Sequence, residues 1–152
     1  MEKIDKHMEN RVWQRVQARQ EPADIQPRRD NLKPWILAAQ ENAAAYRSLE
    51  LQLIGKQWDG LRRLEQESSR MVHSLRGISA LRGETVKLTP LPTPREAPRR
   101  ALEKCFHRSL RLWQELDSRC ADPEWGVVFR SLTRRAEDHC AQLTELIGRL
   151  DT

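Results

Sequence analysis

Residues 83–98 read GETVKLTPLPTPREAP, with prolines at 90, 92, 94 and 98. Proline locks its own φ, lacks an N–H, and biases the residue before it away from helical geometry. The stretch therefore reads as an irregular link, and its length is unusual for a helix–helix connection. To either side the apolar residues recur with helical period, and no segment shows the alternation of a strand. Pro123 marks a further break. Pro22, Pro27 and Pro34 bracket a polar linker, residues 20–33, behind a first segment, residues 1–19.

These breaks leave four long helices in residues 34–152. The first runs from about Pro34 to Ile54, with Gly55 placed to end it as a C′ residue. The second runs from near Asp59 to about Arg82. The third opens with Thr93-Pro94-Arg95-Glu96, a capping-box spacing with Pro at the first helical position. The fourth opens with Asp122-Pro123-Glu124, an N-cap, a Pro and an acid in the first turn, and continues to about Leu150. Short links join the first helix to the second and the third to the fourth, so each pair is an antiparallel hairpin. The long link lets the third helix start at the opposite end of the bundle.

Each residue turns a helix by roughly 100°, which locates the apolar stripes. The first helix turns Ile36, Ala39, Ala43, Tyr46, Leu49 and Leu53 to one side. The second presents Leu61, Leu64, Ser68, Met71, Leu75 and Ile78. The third presents Ala101, Leu102, Cys105, Ser109, Leu112, Trp113 and Leu116. The fourth presents Trp125, Val128, Leu132, Ala136, His139, Leu143, Leu146 and Leu150. Ahead of them, Ile4, Met8, Val12 and Val16, with Trp13 alongside, describe an amphipathic helix too short to be stable alone. It must dock on its own chain or on another.

Composition agrees with a helical, soluble protein. In 152 residues, 38% are hydrophobic, 32% are charged and only six are Gly. No apolar run approaches the roughly 18 to 20 residues that cross a bilayer. The charged first ten residues argue against a secretory signal. Cys105, Cys120 and Cys140 stand alone, without a C-x-x-C or a disulfide framework, so the expected compartment is the cytoplasm.

The run Ala43 to Leu49, the segment Ala101-Leu102-Glu103-Lys104, and Glu137-Asp138-His139 followed by Leu143 carry a resemblance. Over about Leu32 to Leu150 the chain resembles the ferritin-like superfamily, particularly small bacterial proteins related to the rubrerythrin di-iron domain. The resemblance implies a four-helix bundle with a Glu on the first and third helices and a Glu-x-x-His on the second and fourth, holding two irons. Two multivalent cations need several carboxylates to offset and bridge them, with His as a further ligand. Matched position by position, the first- and third-helix carboxylates fall on Ala39 and Ser109. The second-helix pair falls on Ser68 and Met71, and the fourth-helix pair on Ala136 and His139. His139 alone survives.

Other residues compete for a functional role. Glu41 and His73 look like family ligands in a linear reading, yet they lie roughly 150° and 170° from their helices' apolar stripes. Glu50 lies nearer the core face and Glu67 at its flank, where long side chains usually snorkel to water. In the second hairpin Cys105 comes level with His139 and Cys140, a donor set suited to zinc. Arginines supply 21 of the 27 cationic residues, and the net charge is +5. On the second helix these are Arg62, Arg63, Arg70, Arg76 and Arg82, and on the third Arg99, Arg100, Arg108 and Arg111. Glu65, Glu67, Glu103 and Asp117 are interleaved among them, which suits a solvated face with ion pairs. No aromatics alternate with the arginines as in a stacking platform.

The sequence thus predicts an all-α protein, a ferritin-like antiparallel four-helix bundle with an extra N-terminal amphipathic helix. It predicts a non-enzymatic structural or partner-binding role, no cofactor and no intact metal site, with an apolar axis whose one titratable member is His139. Self-association or an unknown protein partner, engaged through the N-terminal helix, is expected. A di-iron oxidoreductase or iron-handling protein is the alternative and requires Glu41, Glu50, Glu67, His73 and His139 to converge. A polyanion-binding bundle is a third reading.

Overall fold

The computed structural model describes residues 31–53, 60–92 and 94–150. The expected N-terminal helix, residues 20–30 of its linker and Gly55 lie outside the described residues. The linker ends earlier than expected, since Leu32 is buried in the core and Lys33 opens the first helix. Among the described residues every regular element is an α-helix: α1 Lys33–Gln52, α2 Gly60–Leu81, α3 Pro98–Asp117 and α4 Gly126–Leu150.

The ends of the helices follow from local chemistry. α2 stops at Gly83, whose φ of 82° is open to glycine and costly for other residues. The Glu84 N–H reaches Ser79 O at 2.8 Å and the Gly83 N–H reaches Ala80 O at 3.0 Å. Those two bonds make a Schellman ending. α4 opens at Gly126, later than the expected Pro123, and Asp122 caps the turn that leads into it: Oδ1 accepts the N–H of Glu124 at 2.8 Å and of Trp125 at 2.7 Å. α3 departs from expectation. It opens at Pro98 rather than at Thr93-Pro94, because Ala97, which precedes a proline, is held extended at φ −57°, ψ 142°.

α1 packs against α2 and α3, and α4 packs against α3 and α2. Each neighbouring pair is antiparallel. Arg47 meets Glu65 across α1 and α2, and Trp35 meets Glu115 while Asn42 meets Ser109 across α1 and α3. The diagonal partners α2 and α3 therefore run parallel, and the connection between them must travel the length of the bundle. It does so along α1, where Gln40 Nε2 donates to Thr89 O at 3.1 Å and Ser48 Oγ donates to Pro94 O at 2.8 Å. Val86 and Leu88 turn inward from this link and pack on the core.

The interior holds two apolar clusters stacked along the bundle axis. At one end Trp35, Ile36, Met71, Leu75, Leu112, Leu116, Phe129 and Leu132 are packed together. Trp35 meets the edge of Phe129 with centroids 6.1 Å apart. At the other end Tyr46, Leu49, Leu61, Leu64, Leu102, Cys105, Leu143 and Leu146 form the second cluster. The stripes read from sequence occupy this core, with corrections at the rim. Trp113, Trp125, Val128 and Leu150 are half-buried, whereas Phe129, outside the expected α4 stripe, is fully enclosed. None of the described helices is long and apolar enough to cross a membrane.

Candidate functional site

A polar layer separates the two apolar clusters. α1 supplies Asn42, α2 supplies Ser68, α3 supplies Ser109 and α4 supplies His139, each about 1% exposed. Facing residues from four antiparallel helices reach the same height here because the pairings of α1 with α3 and α2 with α4 bring their midpoints together. Asn42 Nδ2 donates to Ser109 Oγ at 3.3 Å, and Arg108 Nη1 donates to Asn42 Oδ1 at 3.3 Å from the rim. Tyr46, wholly buried, holds its hydroxyl beside Ser109 and Cys105 without a well-formed hydrogen bond to any described residue. The Ser68 hydroxyl is likewise enclosed and finds no partner among the described residues.

The carboxylate of the layer is Glu67. Its side chain is 16% exposed, and Oε1 lies 2.8 Å from His139 Nε2. Oε2 lies 3.5 Å from Arg135 Nη1 and 3.7 Å from Arg63 Nε. This corrects two expectations. Glu67 turns into the seam between α2 and α4 instead of snorkelling to water, and the axis therefore holds a carboxylate beside His139. An ionised Glu67 accepts hydrogen bonds and cannot donate, which assigns the His139 proton to Nε2. Burial lowers the His139 pKa from its usual value, and the hydrogen bond to Glu67 pulls the other way.

The remaining candidates disperse. Glu41 and His73 are exposed, and Glu41 pairs with Arg108 at 3.3 Å. Glu50 stands beside Glu65 on the α1–α2 seam, where burial first and then the neighbouring carboxylate push its pKa up. Cys105 and Cys140 are buried thiols, and burial raises them to about 12 and about 11. Thiols raised in this way are poor nucleophiles and poor ligands at neutral pH. Among the described residues no three His, Cys, Asp or Glu side chains are gathered as metal ligands, Cys105, His139 and Cys140 included.

The donor set can be compared with what a di-iron centre needs. Ala39, Met71 and Ala136 lie in the apolar cluster next to the layer, and Ser68 and Ser109 are hydroxyls within it. One carboxylate, already held by an imidazole and two guanidinium groups, cannot bridge and neutralise two irons. The residues present do not fit that group.

Sequence reasoning missed Asn42, although it sits three residues after Ala39 and four before Tyr46 on the same stripe. It places Glu67 at the flank of its stripe and expects it to reach water. Periodicity carries no signal for its inward turn, because the imidazole it meets is on α4. Compared with known proteins, the chain matches no family model, no curated protein and no solved structure.

Proposed function

We propose that this chain is a non-enzymatic bundle of ferritin-like arrangement in which packing and hydrogen bonds have replaced a di-iron site, and that it acts by binding a partner. The observation that carries the reading is the composition of the mid-bundle layer. At the height where such a bundle would hold metal stand an amide, two hydroxyls and an imidazole, with Glu67 as the single carboxylate. The hairpin–link–hairpin connectivity supports the arrangement. A layer of hydrogen-bonded polar groups inside an otherwise apolar core fixes which helix faces meet and at what height.

The second reading is an iron-dependent oxidoreductase, favoured by the Glu67–His139 contact, the one carboxylate–imidazole pair among the described residues. Metal analysis by mass spectrometry decides between them, on protein purified without chelator and again after anaerobic Fe(II) loading. The partner-binding reading expects no retained metal. Iron at roughly two per chain overturns it.

A further inference from the structure

The groove outside the Glu67–His139 pair has more cationic donors than acceptors to meet them. It runs along the outward face of α4 beside α2, encloses about 490 Å3, and is lined by Val127, Arg130, Ser131, Arg134, Arg135 and Asp138 with Glu67 at its floor. Both carboxylates are engaged: Glu67 by His139 and Arg135, and Asp138 by Gln142 at 2.6 Å with Arg63 at 3.8 Å. The guanidinium groups are not correspondingly used. Arg134 is exposed and makes no ion pair or hydrogen bond with any described residue. Arg135 Nη1 is enclosed and lies 3.5 Å from Glu67 Oε2 without forming a hydrogen bond. Arg130 spends one donor on Cys120 O at 3.4 Å, leaving the rest of its fork open. One turn earlier Val127 is 77% exposed, an apolar side chain at the head of a cationic row.

From this we infer that the α4 groove is a docking surface for an acidic amphipathic helix of a partner protein. The inference rests on the partner-binding reading above and names the chemistry of the partner. Arg130 and Arg134 are four residues apart on one helix face, so their guanidinium groups match carboxylates spaced at i and i+4 on a second helix. Guanidinium forks take carboxylates in paired hydrogen bonds, which supplies specificity along with charge. Val127 offers the apolar contact that such a helix needs beside its acidic stripe. A single-stranded nucleic acid fits less well, because the groove lining has no aromatic ring on which bases could stack.

The test uses the full chain and a fluorescently labelled synthetic peptide with a leucine stripe and a glutamate stripe, read by anisotropy at low and physiological salt. Binding is expected for this peptide and not for the same peptide with every Glu replaced by Gln. Arg134→Ala should weaken it about five- to tenfold, Arg134→Glu should weaken it further, and Arg76→Ala, at an exposed position of α2, should leave it unchanged. Circular dichroism confirms that each variant keeps its helicity, and Arg130→Ala serves as a second variant along the row. Equal binding of the Gln peptide, full binding by the Arg134 variants, or tighter binding of a single-stranded oligonucleotide of equal charge overturns the assignment. No peptide binding by an iron-free protein removes the groove and leaves the partner-binding reading standing. Bound iron at roughly two per chain removes that reading by itself.

Discussion

Glu67 precedes the core residue Ser68 by one position, and its inward turn sets it against His139, the imidazole of the layer. Burial lowers the His139 pKa in the folded chain, against the upward pull of Glu67. The unfolded chain takes up a proton near pH 6.5 that the folded imidazole still refuses, so the unfolded state binds more protons in the window just below that value. Stability should therefore fall on acidification through this window, and the loss should stop once the folded imidazole also protonates. Urea unfolding at about pH 7.5 and about pH 5.5 tests this, with His139→Gln expected to flatten the difference. An identical pH response in wild type and His139→Gln would remove the role assigned to burial. Away from the layer, Leu143 is fully enclosed and Leu132 nearly so. Truncating either to Ala should cost about 2 to 5 kcal/mol. Replacing the exposed His73 or Glu41 should cost less than about 1 kcal/mol, and a large loss at either would show that the helix phases are wrong.

At the scale of the element, the turn between α3 and α4 is the most tightly specified connection. A Cβ on Gly126 would stand 2.5 Å from Cys120 O, a backbone atom that cannot swing aside. Gly126 is there for space, since the described non-Gly residues and Gly126 itself all keep ordinary φ. Gly126→Ala should lower stability by about 1 to 3 kcal/mol. Asp122→Ala, which frees the N–H groups of Glu124 and Trp125, should cost about 1 kcal/mol. Because both changes act on one turn, thermal unfolding of the double variant should show a loss different from their sum. α3 teaches the complementary lesson. Its capping-box spacing at Thr93-Pro94-Arg95-Glu96 is a real pattern, yet Pro98 forbids helix at Ala97, and Glu96 instead pairs with Lys104 and Arg100. Among several prolines, the last one ahead of a helix decides where it starts.

At the scale of the molecule, the link between α2 and α3 determines the topology. Helices of this length extend about 30 Å, and parallel neighbours across a diagonal require a connection at least that long. Deleting residues 84–92 leaves a stretch that reaches at most about 25 Å. The shortened chain should be unable to close its own bundle, and should exchange hairpins with a second copy or aggregate. Light scattering coupled to size exclusion reads the outcome, and a shortened chain that keeps wild-type mass and helicity would show that the link does not traverse the bundle. The same deletion removes Val86 and Leu88 from the core edge and the backbone acceptor that holds Gln40. A loss of stability is thus expected along with the change of mass.

Helical class, the four segments and the two hairpins with their long connection are legible in the sequence, because period and proline placement act over a few residues. The buried stripe is legible for the same reason, from Ile36 to Leu49 on α1 and from Leu61 to Ile78 on α2. What the tertiary structure alone decided concerns residues at the edges of those stripes. Glu67 and Arg135 each sit where a side chain can turn to water or to a neighbour, and only the facing helix makes one choice better than the other. Burial of a carboxylate depends on the cation and imidazole that come to meet it. Arg63 stands one turn away on α2 itself, but Arg135 and His139 approach Glu67 only when α4 lies antiparallel to α2. The surplus of guanidinium donors along α4 is likewise a property of the assembled face, since the sequence lists the arginines without saying which acids are already taken.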